Sequence, residues 1–350
     1  YQYLREKFIY TAFAPVIYNA SIILFGWFNS STPENTVRGF AIGTLIGSIV
    51  GHLILQIIGA SKSGLNFRFV SPKFKYVKEY LFVSFPLVVG QSIAVVDEQL
   101  YRIFGSVLSA GSVASFRYAR RIALLPVGVV AQAIGVASYP LLAKLFKNND
   151  LEELNLLVRK QLVYLFKVNG ALMVFYILHS QFLIELIYER GVFTTQDTLR
   201  VSNVFSIIAF AIVPWSLNQI LTRSFYIQKN FWFPVISGSL ITFMTVVFLI
   251  MTGNKTAEEY ATVITFSLFL YSLILLYTVK FDETKVFNKF LVMDLVKASF
   301  VLLIIYYLLS QFLTLEGLLG AFISLLIIFL ISYASIGLLK FKYINITKRR

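Results

Sequence analysis

The sequence predicts an all-α fold, a polytopic transmembrane bundle with about ten spans, on three observations. Of its 350 residues, 58% are hydrophobic, 16% aromatic and only 14% charged. No soluble globule buries that composition without leaving lipid-like surface exposed. The chain also divides into apolar windows of about 20 residues, the length a helix needs to cross a hydrocarbon core roughly 30 Å thick. Finally, the cations alternate: 21 Lys and Arg fall in one set of ends and loops and 4 in the opposite set.

The windows run over 8–28, 37–58, 77–108, 113–144, 158–178, 199–223, 231–251, 256–278, 291–313 and 315–339. Backbone groups in hydrocarbon must pair within their own segment, so spans are helices or a closed barrel. Continuous apolar runs are inconsistent with the alternating barrel pattern. In the second span Gly39, Gly43, Gly47 and Gly51 recur every four residues and form one stripe suited to close helix approach or to baring backbone for a ligand. The basic stretch 59–76, containing Ser71-Pro72, is expected to be a linker on the cytoplasmic side. Pro126, Gly128 and Gly135 are expected to break the fourth span, as transporter helices break beside a cavity, with a simple kink as the alternative. The stretch 182–188 is too short to cross and is expected to lie as an amphipathic helix on the outer surface. Gly191 then suits a left-handed cap, and Thr194 with Asp197 a capping box.

Because Lys and Arg in short loops are retained in the cytoplasm, both ends of the chain are expected there. The net charge of +14 is then topology signal plus attraction to anionic membrane lipids. Its dispersal argues against nucleic acid. With no Cys, disulfides, thiolate catalysis and Cys-based metal sites have no residues to build them, and the two histidines, His52 and His179, lie too far apart in the topology to share a metal. No phosphate loop or HExxH pair is present. The residues thus point to no enzyme and no cofactor. The chain opens at Tyr1 without an initiator Met, so an N-terminal part is expected to be missing.

Charges inside spans carry the functional reading, since each costs ~2.5–3.5 kcal/mol on insertion scales and normally faces a cavity or partner. Asp97, Glu98 and Arg102 lie in the third span, Arg117, Arg120 and Arg121 in the fourth, Lys167 in the fifth, and Asp294 with Lys297 in the ninth. The third and fourth spans join at Ala110-Gly111-Ser112 and are antiparallel neighbours. Arg102 and Arg121 therefore come to similar depths, roughly 13 Å from the outer end. One reading is an internal ion-pair network between the two helices. The other is a cavity whose four Arg outnumber Asp97 and Glu98, leaving positive charge for an anionic ligand that Arg can grip bidentately.

The run Gly111-Ser112-Val113-Ala114-Ser115-Phe116-Arg117-Tyr118-Ala119-Arg120-Arg121, continued by Leu125-Pro126-Val127-Gly128-Val129, resembles the lipid II flippases of the MurJ (MviN) family. They carry GSVS, YA-x-R-L and LP-x-GV in this helix. Similar stretches follow the same order. They are Phe13-Ala14-Pro15 with Asn19; Ala133-Ile134-Gly135 before Pro140; Leu186-Ile187-Tyr188-Glu189-Arg190-Gly191-Val192-Phe193-Thr194 with Asp197; and Ser224-Phe225-Tyr226 with Pro234. The resemblance implies a fourteen-helix, two-lobe transporter. On that map, residues 1–58 are the last two helices of the N-terminal lobe and 59–76 the cytoplasmic linker. Residues 77–280 are the C-terminal six-helix lobe, 281–350 an extra helix pair with a basic tail, and four N-terminal helices are absent. It implies that undecaprenyl-pyrophosphate-linked peptidoglycan precursor is flipped by alternating access, its pyrophosphate on cavity arginines. Arg121 is the one position the YA-x-R motif carries over; Arg102, Arg120, Arg117, Asp97 and Glu98 complete the candidate set. Where some members have acidic residues, this chain has Arg120 and Leu124. A monomer is expected, with a monovalent cation as candidate coupling ion. The rivals are a flippase for another lipid-linked oligosaccharide and a cation-coupled multidrug exporter, the latter wanting surplus acid in its cavity.

Overall fold

The computed structural model describes Gln2, residues 9–66, 73–78 with a few positions up to 88, 111–251, 256–281, 284–311 and 320–327. The chain forms two compact units, Tyr1–Val77 and Lys78–Arg350. Seven helices among the described residues are long and apolar enough to cross a bilayer, or eight if one bent pair is a single span. The expected spans 77–108 and 315–339 lie mostly outside the described residues.

In the first unit α1 (Ile9–Phe28) packs against a long helix made of α2 (Pro33–Gly47), a π-helical turn (Ser48–Ile54) and α3 (Leu55–Lys62). Thr32 caps α2 by accepting from the Asn35 N–H, and Pro33 fills the first helical position, where its missing N–H is no loss. The glycine stripe is a packing surface. A Cβ on Gly43 would stand 2.5 Å from the Ser21 carbonyl oxygen, one on Gly47 2.9 Å from the Tyr18 Cα, and one on Gly51 2.7 Å from the Ala14 oxygen. Backbone on backbone at that range is what four-residue glycine spacing permits.

The second unit contains α4 (Ser112–Pro126), a π-helical turn (Val127–Ala131), α5 (Gln132–Lys147), α6 (Leu151–Leu178), α7 (Ser180–Tyr188), α8 (Thr195–Ala209), α9 (Ile212–Ile227), α10 (Trp232–Met251), α11 (Ala257–Thr278) and α12 (Lys289–Gln311). A two-residue ribbon, Lys280–Phe281 on Thr284–Lys285, lies between α11 and α12, the one strand pair among the described residues. α4 packs on α8, α9 on α6, and α12 along α6. They enclose an apolar core around Phe116, Leu142, Leu162, Phe205, Ile212, Ile220 and Leu275, all essentially buried, and a smaller cluster around Phe175, Ile305 and Leu309 lies between α6 and α12.

One expectation is corrected. The fourth span is not broken after Pro126. It continues through the π-helical turn, where the Gln132 N–H reaches back five residues to the Val127 carbonyl. The wider turn absorbs the mismatch that proline imposes on the four-residue ladder. The sixth span is not straight, since α8 and α9 meet at 40°. Pro214 offers no N–H to the Phe210 carbonyl, so the ladder fails one turn upstream of the proline.

Thr194 and Thr256 open α8 and α11 with complete capping boxes to Asp197 and Glu259. α3, α5 and α9 each close in a left-handed cap, at Gly64 (φ 91°), Asn149 (φ 62°) and Lys229 (φ 59°). Each donates its N–H back into the last turn, as Lys229 does to the Tyr226 carbonyl at 3.0 Å.

Candidate functional site

The buried face of α4 is Ser112, Ser115, Phe116, Ala119, Ile122 and Ala123, which lies against α8. That face fixes where the arginines go. Arg117 and Arg121, one turn apart on the other side, are exposed, and Arg120 between them is half-buried with its guanidinium 5.7 Å from the Trp215 ring centre on α9. Arg121 is therefore not the buried cation the span reading expected, because its stripe is set outward by the small and apolar residues that pack on α8. Asp97, Glu98 and Arg102 lie outside the described residues, so the ion-pair network is neither drawn nor dismissed. Lys167 is half-buried on α6, and Lys297 is exposed on α12 with Asp294 one turn away.

Arg121 lies within electrostatic range of Tyr188 at the end of α7. Tyr118, one position from Arg117, completes an aromatic cluster with ring centres 4.6 Å from Tyr188 and 5.7 Å from Phe193. Two stretches seventy residues apart in sequence thus meet at one end of the bundle. The loop between them is tightly held. Thr195 and Thr198 donate to the two carboxylate oxygens of Glu189 at 2.6 and 2.5 Å, holding that carboxyl below its ordinary range against a small opposing effect of burial. Thr194 donates its N–H and hydroxyl to Asp197 at 2.9 and 2.8 Å, which likewise lowers the Asp197 pKa. Gly191 takes φ 64°, a left-handed conformation a β-carbon resists.

The other pair of stretches meets toward the opposite end. Gly135 receives the Arg223 guanidinium, so that a Cβ there would stand 2.8 Å from its Cζ, and Tyr271 on α11 donates its hydroxyl to the Pro234 carbonyl at 3.1 Å. Between the ends, Asn169 on α6 donates to Ser216 on α9 at 2.5 Å and Ser272 on α11 donates to Asn218 at 2.9 Å. These polar pins replace the hydrophobic effect that lipid does not supply between helices. Among the described residues no cluster of three His, Cys, Asp or Glu could hold a metal.

The model of the lipid II flippase MurJ family matches residues 3–329. The chain belongs to the MurJ family. Among similar MurJ proteins is the probable lipid II flippase of Helicobacter pylori strain J99, 34% identical over 154 residues, covering 43% of this chain and 33% of the relative. That of Treponema pallidum is 23% identical over 248 residues, covering 70% and 47%. A solved structure, the lipid II flippase MurJ in an inward closed conformation, superposes with a TM-score of 0.71 at 26% identity, covering 94% of this chain and 67% of that one. The chain spans about a third to a half of the length of these curated MurJ relatives. Seven or eight membrane-length helices and the match to a MurJ transporter agree with a bundle of about ten spans in a multi-pass membrane protein.

Sequence reasoning took Arg223 only as an end-of-span cation, and it did not connect Tyr188 or Trp215 to the arginines. A signal was present: Trp215, Gln219, Arg223 and Tyr226 recur at intervals of four, four and three, a helical stripe.

Proposed function

We propose that this chain serves a flippase carrying a polyprenyl-pyrophosphate-linked peptidoglycan precursor from the inner to the outer leaflet by alternating access, with Arg121 on its pyrophosphate. The observation that carries the reading is Arg121 standing exposed on a stripe with Arg117, on the helix bearing the MurJ signature. An exposed guanidinium keeps its planar fork for a diphosphate. Arg120, held at Trp215, sets the local positive potential, and Arg102, Asp97 and Glu98 remain proposed members of the same site. This surplus of cations disfavours a cation exporter. The division into 1–58, 59–76, 77–280 and 281–350, the bacterial inner membrane, a monomeric state and a monovalent coupling ion belong to the same proposal.

The test is precursor translocation with the chain in its complete natural protein. Arg121→Ala is expected to lower translocation at least tenfold with an unchanged melting temperature, and Arg121→Lys to restore it in part, since an ammonium keeps charge but loses the two-pronged donor. A stable, fully active Arg121→Ala protein would remove Arg121 from the substrate.

A further inference from the structure

The half-buried Arg223 lies toward the C-terminal end of α9, four residues before Ile227. Its Nη1 donates to the carbonyl and, at 2.8 Å, to Oε1 of Gln219. Among the described residues no other hydrogen bond and no carboxylate engages it, while the phenols of Tyr139 and Tyr226 lie in electrostatic range. The guanidinium has five N–H donors, and the Nε and Nη2 edge is the fork that grips two oxygens of one anion.

An arginine at a helix C-terminus has an ordinary explanation, because it complements the helix dipole and can extend to the interface. This one does not extend. It lies across α5 where Gly135 lacks a side chain, with a hypothetical Cβ 3.2 Å from Nε. The Trp215, Gln219, Arg223 and Tyr226 stripe gives the location context. Arg120 occupies its upper end over Trp215, and Arg223 lies eight positions further along α9, about 12 Å at 1.5 Å per residue. A stripe of half-buried polar and aromatic side chains between two helices, ending in a cation with a spare fork, is built for an anion at the membrane edge.

We propose that Arg223, seated over Gly135 between α5 and α9, is a second anion site, which takes the phosphate of a lipid head group. The chemistry is shared by a bulk anionic phospholipid and an isoprenoid diphosphate. The site concerns a different helix from Arg121 and stands whether or not Arg121 touches substrate.

The experiment uses the full 350-residue chain in nanodiscs of phosphatidylcholine, doped with either phosphatidylglycerol or farnesyl diphosphate, and measures the lipid retained by native mass spectrometry. Arg223→Gln is expected to weaken retention of at least one probe about tenfold, and Gly135→Ala to weaken it with every charge kept. Lys229→Gln, removing an exposed neighbouring cation, is expected to change it less than twofold. The probe that responds identifies the source: phosphatidylglycerol a bulk lipid, farnesyl diphosphate a polyprenyl carrier. Equal retention by wild type and Arg223→Gln for both probes overturns the site, as does an equal loss in Lys229→Gln, which would make the effect one of net charge. Should Arg223→Gln fail to fold, Arg223→Lys decides: undiminished retention of both probes there overturns the bidentate seat, and a severalfold loss supports it.

Discussion

Glu189 illustrates what one side chain can hold. Both its oxygens accept from threonines that open α8, so the carboxylate ties the end of α7 to the start of α8 across the left-handed Gly191. Its pKa is lowered chiefly by the Thr195 hydroxyl and then by that of Thr198. The folded loop therefore binds its proton less readily than the unfolded one. The stabilisation is complete above the ordinary value of 4.5 and is lost as pH falls through it toward the folded pKa. Amide hydrogen exchange over 190–195, corrected for the intrinsic rate, is expected to keep its protection above about pH 4.5 and to lose it as pH falls below that value. Glu189→Gln should remove that pH dependence; an unchanged profile in the variant would dissociate Glu189 from the loop. At the same scale, Thr194, Asp197 and Gly191 were legible from sequence because caps are local. Arg121 was legible as a candidate but not as exposed, because exposure depends on which face of α4 meets α8.

At the scale of elements, glycines on two helices with similar sequence character behave in opposite ways. Gly43 leaves no room for a Cβ, which would press on the Ser21 carbonyl at 2.5 Å, whereas a Cβ on Gly128 meets nothing within 4 Å. Gly43→Ala must therefore part α1 from α2, at a cost of about 1–3 kcal/mol by analogy with overpacked cores. Gly128→Ala should be neutral or stabilising by about 0.5–1 kcal/mol, because alanine loses less backbone entropy in a helix. Thermal unfolding of the two variants in detergent is the measurement, and a Gly43→Ala protein as stable as Gly128→Ala would contradict the packing. The π-helical turn after Pro126 and the 40° bend before Pro214 belong to this scale too. Each proline announced a disturbance, but whether the ladder widens or fails depends on the neighbours that hold the flanking turns together.

For the molecule as a whole, the 21-to-4 distribution of cations makes a topological prediction. Since the chain has no native cysteine, single cysteines can report sidedness cleanly. In intact cells a membrane-impermeant maleimide is expected to label Val192→Cys, whose side chain is 98% exposed in the α7–α8 loop, and to spare Lys75→Cys until the cells are opened. The reverse pattern would invert the orientation.

The sequence by itself determined the class, a multi-pass helical bundle of about ten spans, because apolar length is a property of each segment against the bilayer and requires no partner. It also determined the caps, which close within four residues. What only the tertiary structure decided is which residues face one another. The Tyr118 and Arg121 stretch meets Tyr188 and Phe193, and the vacancy at Gly135 is filled by Arg223. In lipid, neighbouring helices are chosen by close packing and polar pins rather than by hydrophobic burial. The apolar pattern that marks a span is nearly the same on all its faces, so it cannot say which face a partner will cover.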